Sequence, residues 1–310
     1  MSGADGHQLS FEPLPPLPAR EAAGHKGTFG SVLVIGGCAH APRTMLGGAM
    51  LAARAALRAG AGRVIAAVPA PLASDALVIL PEATVVALPC EASGELHASG
   101  AAEAIDGALR EASAIVIGPA LGRSAAAERV VMRLVGLGEQ PLVIDADAIR
   151  AFAAHLDAWR DLRGTVVFTP HPGEASALAD SLGLEIDAVE RATRPAAAIV
   201  LAQRLGAVVA LKGHGTVTSD GLRAWRCERG GAALATGGSG DVLAGVVGAF
   251  FAQFAARGAA ISPGAITALA VEAHARAGDL WAARHGDAGA LAREIADLVP
   301  DAMREMRAAR

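Results

Sequence analysis

From Ser31 onward, short aliphatic runs alternate with alanine-rich segments of helical spacing. Val32–Ile35, Arg63–Val68, Ala83–Ala87, Ala114–Ile117, Leu142–Ile144, Val166–Phe168 and Val208–Leu211 are the expected strands. Several are apolar without interruption, so both faces of the sheet must be covered. Parallel strands wrapped by crossover helices meet that demand. The expected helices include Ala49–Arg58, Ala101–Glu111, Ala125–Leu137, Ala175–Leu182, Asp241–Ala256, Gly264–Ala277 and Ala290–Arg307. After Lys212 the pattern changes to a hairpin, Thr216–Thr218 and Leu222–Arg226, turning at Ser219-Asp220-Gly221. With no repeat and no Ser/Gly linker, the expectation is one α/β domain with a central, mostly parallel sheet flanked by helices.

Composition narrows the function classes. A 53% hydrophobic share excludes a disordered chain. Cys38, Cys90 and Cys227 are too few and too scattered for a disulfide framework, which points to a cytoplasmic protein. A net charge of −4 leaves no basic footprint for nucleic acid. The longest uncharged stretch, Val242 to Ala256, is broken by Gly245, Gly248 and Gln253, so a buried helix fits better than a membrane span. Residues 1–24 carry Pro13, Pro15, Pro16 and Pro18 without an apolar signal core, and read as a mobile arm before a domain at 25–310. Aromatic residues are only 3%, so small side chains must build the interior.

In open parallel sheets, ligands gather beyond the carboxyl ends of the strands. Those ends carry Gly36-Gly37, Gly118-Pro119, Asp145 with Asp147, His171 and Lys212-Gly213. Any one of them could be an ordinary turn or cap; their recurrence from strand to strand favours a site. The strongest candidate is Thr236-Gly237-Gly238-Ser239-Gly240-Asp241, leading into a helix. Its glycines let backbone N–H groups converge, and the helix start adds positive potential for a phosphate. Asp241 would repel that phosphate, unless it takes the proton of a hydroxyl attacking it. An Asp favoured at a helix start is the plainer reading. No Lys follows the glycines as in a Walker A loop, and Ser239 has no evident His partner in sequence.

Three further motifs are weaker alone. Thr169-Pro170-His171-Pro172-Gly173-Glu174 follows a strand and opens a helix, with Glu174 placed to hold Mg²⁺ through water. Lys212-Gly213-His214-Gly215-Thr216 would set a lysine and a close backbone against a nucleotide. His25-Lys26-Gly27-Thr28-Phe29-Gly30 precedes the first strand and reads as a basic loop. Asp147, before Ala148-Ile149, suits a helix N-cap.

Taken in order, HKGTFGSVLVIGG, AALRAGAG (Ala55–Gly62), LPEA (Leu80–Ala83), IGPALG (Ile117–Gly122), VIDADAI (Val143–Ile149), TPHPGE, LKGHGT and ATGGSGDVLAG resemble the ADP/ATP-dependent NAD(P)H-hydrate dehydratase family. That family has a ribokinase-like three-layer fold. The resemblance runs from about His25 to Pro300. It implies nucleotide-driven dehydration of the S epimer of NADHX or NADPHX, restoring NAD(P)H and leaving AMP and phosphate, with Mg²⁺ as cofactor. It implies that Asp241 is the base and contacts the hydrate, which Ala49, Gly122 and His171 line. Lys212, Gly213, His214, Gly215, Thr216 and Gly240 would contact the nucleotide, within a phosphate loop of Gly237, Gly238, Ser239 and Gly240. ADP is favoured over ATP, because bacterial members mostly use it and the alanine-rich composition resembles a GC-rich bacterium. A homo-oligomer, in particular a tetramer, is implied, with the NAD(P)HX epimerase supplied as a separate protein.

Departures from the family pattern are Ser239 for Thr, Ala120 for Gly, the Cys38–Thr44 loop, and Ala292-Arg293-Glu294 for A-S-D. A kinase of the same fold acting on a hydroxymethyl heterocycle would share the glycine loop and leave HKG and HPGE unexplained. A non-catalytic nucleotide sensor would have no need of Asp241 and Glu174.

Overall fold

The computed structural model describes residues 10–155, 157–255 and 261–308. Nine strands form one sheet in the order β3-β2-β1-β4-β5-β6-β7-β8-β9. They are β1 Ser31–Ile35, β2 Arg63–Pro69, β3 Thr84–Leu88, β4 Ala114–Ile117, β5 Leu142–Ile144, β6 Val166–Phe168, β7 Val208–Leu211, β8 Val217–Ser219 and β9 Ala224–Arg226. Pairing is parallel from β3 across to β7, and antiparallel for β7–β8 and β8–β9. The hairpin turn is held by Asp220, whose Oδ1 accepts the N–H groups of Leu222 and Arg223 at 3.1 and 2.7 Å.

The two-residue period of a strand explains the uninterrupted runs. Val32, Val34, Val116 and Val143 enter one core, while Leu33, Ile35, Ile117 and Ile144 enter the other. The first core is closed by α1 Gly47–Arg58, α8 Ser239–Phe254, α9 Pro263–His285 and α10 Ala292–Ala308, with α2 Ala73–Ile79 at its margin. The second lies under α3 Ala98–Leu109, α4 Ala125–Val135, α5 Asp147–Ala153, α6 Pro172–Ser181 and α7 Arg194–Leu205. Small residues are needed where α1 meets α8. A Cβ on Gly245 would stand 2.1 Å from the Ala52 carbonyl oxygen, so nothing larger fits there. Among the described residues no helix is long and apolar enough to cross a membrane.

Two elements depart from the sequence expectation. No helix was expected at α2 or α7. In α7 Pro195 occupies the first turn, where a missing N–H costs no helical bond. The mobile arm is corrected for residues 10–24; residues 1–9 lie outside the described residues, as does Ala256 at the end of the expected helix. Glu12 N–H donates to the Ala224 carbonyl at 2.8 Å, covering the edge of β9. Leu17 is 1% exposed within the first core, and Arg20 reaches the Gly60 carbonyl at 2.7 Å. Prolines suit such a strap, since each has little backbone freedom to lose and no N–H to leave unpaired. Leu17→Ala is expected to cost about 2–5 kcal/mol in denaturant unfolding. An unattached arm would make it neutral.

Candidate functional site

At the carboxyl ends of β6 and β7 lies a cavity of about 690 Å³. It is lined by His171, Pro172, Lys212, Gly213, His214, Thr216, Ser239 and Gly240, with Leu243, Val271, His274 and the 229–236 loop. A second cavity of about 560 Å³ adjoins it through Ala232, Ala235 and Thr236. Three separately expected motifs therefore meet at one place. Gly240 allows Lys212 to approach α8: a Cβ there would sit 3.2 Å from Nζ.

Lys212 is the hub. Its Nζ is 2.8 Å from Asp145 Oδ1 and 3.9 Å from Glu174 Oε2. Asp145 is 1% exposed and also accepts the Thr169 hydroxyl at 2.7 Å. Burial alone would push the lysine down, but Asp145, Glu174 and Asp241 outweigh it and hold its pKa above the ordinary value. The ammonium is held in its charged form by Asp145 and reaches the start of α8 at Gly240.

His171 caps α6. Its Nδ1 accepts the Gly173 and Glu174 N–H groups at 3.0 and 3.3 Å, while Glu174 Oε2 accepts the His171 N–H at 2.8 Å. With Nδ1 an acceptor, the ring proton is assigned to Nε2, which faces Glu174 Oε1 at 3.3 Å. Burial, then Lys212 and Arg150, push His171 down, so the ring stays neutral. Glu174 is pushed up, chiefly by its own burial.

Asp241 stands in the first turn of α8, where Gly238 at φ +92 starts the helix. A Cβ on Gly48 would meet its Oδ2 at 3.0 Å, so the start of α1 packs directly against the carboxylate. Its pKa is raised from 3.8 to about 7, first by burial and then by Asp145, with Lys212 opposing. A carboxyl poised there can exchange a proton near neutrality.

The other expected residues divide. Gly122, at φ +77, donates its N–H to Asp147 Oδ2 at 3.0 Å and lies against Cys38. It sits beyond β4 and outside the cavity lining. Ala49 is 0% exposed, its methyl packed under Gly36, and it lies outside the cavity lining. Gly215, Gly237 and Gly238 shape the loops without lining the cavity. Asp147 is not the helix N-cap. Ala146 holds that place at φ 49, and the Asp147 carboxylate turns back to Gly122 and to Arg123 at 3.3 Å.

Glu174 as a metal ligand fares poorly, since its two oxygens are taken by His171 and Lys212 already supplies the nearby cation. Among the described residues no group of three or more His, Cys, Asp or Glu is arranged to hold a metal. A resident Mg²⁺ does not fit this cluster. Mg²⁺ carried on nucleotide phosphates asks less of the protein.

The sequence reading missed His274, 7% exposed in the middle of α9, whose Nε2 is 3.2 Å from Ser239 Oγ. Only the crossing of α8 and α9 brings the pair together.

The family model described as NAD(P)H-hydrate dehydratase matches residues 32–301. The chain belongs to the NAD(P)H-hydrate dehydratase family. Within it, the chain is 39% identical to an ADP-dependent (S)-NAD(P)H-hydrate dehydratase of Xanthomonas campestris, over 92% of this chain and 91% of that protein. It is 35% identical to a bifunctional NAD(P)H-hydrate repair enzyme of Moorella thermoacetica, over 94% of this chain and 52% of that protein. The chain thus spans about half the length of the bifunctional relatives it matches. Its fold superposes with TM-score 0.72 on the Bacillus subtilis ADP/ATP-dependent NAD(P)H-hydrate dehydratase co-crystallised with ATP/Mg²⁺, at 27% identity and covering 94% and 95% of the two chains. The three-layer architecture is the ribokinase-like fold of this family.

Proposed function

We propose that this protein dehydrates the S epimer of NADHX or NADPHX with ADP, returning NADH or NADPH together with AMP and phosphate. The carrying observation is geometric: Lys212 reaches Gly240 at the start of α8, next to Asp241, whose carboxyl packs against Gly48 of α1 and is pushed up to about 7 by burial. In this reading Lys212, Gly213, His214, Gly215 and Thr216 hold the nucleotide, and the start of α8 (Ser239, Gly240) receives its terminal phosphate. The hydrate enters from the side of Gly48 and Gly122, with the neutral His171 ring at its edge.

Asp241 then takes the proton of the ring hydroxyl as its oxygen bonds to the terminal phosphorus and the P–O bond to AMP breaks. The carbon–oxygen bond breaks next and phosphate departs. Loss of the neighbouring carbon's proton restores the ring double bond. Lys212 neutralises charge as it passes between phosphates, without reorganisation.

Mg²⁺ accompanying the nucleotide would add charge neutralisation at the phosphates. The supporting relatives are named for ADP, or for ADP and ATP, and ADP is our choice. The bifunctional relatives support a partnership with an NAD(P)HX epimerase. A cytoplasmic location fits three free cysteines, and a homo-oligomer, in particular a tetramer, completes the reading.

Following the phosphate tests the reaction class. Free phosphate with AMP is expected, and phosphate retained on an organic product would make the protein a kinase instead.

A further inference from the structure

We infer that His274 is a positioning residue of the phosphate loop: it fixes the Ser239 hydroxyl so that the hydroxyl's own proton points at the nucleotide's terminal phosphate. The inference rests on the nucleotide reading of the cavity. Ser239 is 6% exposed at the first position of α8, and its Oγ lies 3.2 Å from His274 Nε2. Both residues line the cavity.

A hydroxyl has one proton and two lone pairs. If Ser239 gave that proton to the ring, only lone pairs would remain for an anion, and they would repel it. If Nε2 carries the ring proton and Oγ accepts it, the hydroxyl proton is free to donate into the cavity. Burial pushes His274 down to about 4, with the hydrogen bond to the Ser239 backbone opposing and Lys212 reinforcing the shift. The ring is therefore neutral near pH 7 and carries a single proton. It acts on the phosphate through Ser239 and not by charge.

Calorimetric binding of ADP and AMP to the full-length chain tests this, using S239A, H274L, H274Q and the S239A/H274L double variant. S239A and H274L are each expected to weaken ADP about tenfold. AMP, which lacks the terminal phosphate, should bind unchanged. The double variant should bind ADP no more weakly than S239A, and H274Q, which keeps an N–H donor, should recover most of the loss. Should H274L not fold, H274N, polar but too short to reach the hydroxyl, takes its place.

The inference is overturned if ADP affinity is unchanged in H274L. Equal weakening of AMP and ADP, or a further tenfold loss on adding H274L to S239A, also overturns it. So does a wild-type protein that binds no ADP. A wild-type protein that binds ADP yet returns no NAD(P)H overturns the dehydratase reading alone.

Discussion

Asp241→Asn is expected to lower turnover by about 10²–10⁴-fold while leaving nucleotide affinity intact or slightly improved. The amide keeps the shape and loses the proton acceptor, so the deficit should fall on kcat and not on the nucleotide KM. In the wild type, kcat/KM should rise with pH through about 7 as Asp241 loses its proton, and this limb should vanish in the variant. Stability should move the other way. The folded carboxyl titrates near 7 against 3.8 ordinarily, so the folded state keeps a proton that the unfolded chain releases. That contribution is fully present below about pH 4 and is lost as pH rises through about 7. At pH 8 the Asn variant should be more stable by about 2 kcal/mol, half of what the full shift would correspond to, because a half-buried carboxylate keeps some water. The gap should close toward pH 4. Activity and stability are opposed at this residue, as expected of a group held in an unfavourable state for its chemistry.

Lys212→Met is the second large effect. It removes the cation 2.8 Å from a carboxylate that is 1% exposed, leaving Asp145 with the neutral Thr169 hydroxyl. Breaking a buried pair from one side costs about 3–5 kcal/mol, which denaturant unfolding would register. Lys212 also opposes the upward shift of Asp241, so its loss should move the pH–rate limb to higher pH in any activity that remains. A stable variant with an unmoved limb would contradict the placement of Lys212 as the hub.

How much of this was legible in the sequence follows from how far each signal reaches. Runs such as Val32–Ile35 and Ala114–Ile117 reveal parallel strands because burial on both faces leaves no polar position. The glycine loop is legible because Gly238, at φ +92 and pressed by Leu51, admits no side chain, and Lys212 because it ends a strand before a Gly-x-Gly turn. Local signals mislead where tertiary contacts decide. α7 forms where no helix was expected, and the prolines before Leu17 read as looseness but belong to a strap.

Asp147 has the sequence context of a cap, yet Ala146, at φ 49, accepts a strained backbone that turns the carboxylate to Gly122. His274 looks like one more polar residue in a long helix. Its partner lies 35 residues away, and no spacing rule connects them. Small side chains have a physical reason where Gly245 of α8 meets the Ala52 backbone of α1.

The central claim is tested most directly by supplying purified hydrate and following the return of the dihydronicotinamide absorbance band. Nucleotide should be absent, ADP or ATP in parallel samples. Recovery with ADP, accompanied by equimolar AMP and free phosphate and absent without nucleotide, is the predicted result. No recovery with either nucleotide would contradict it.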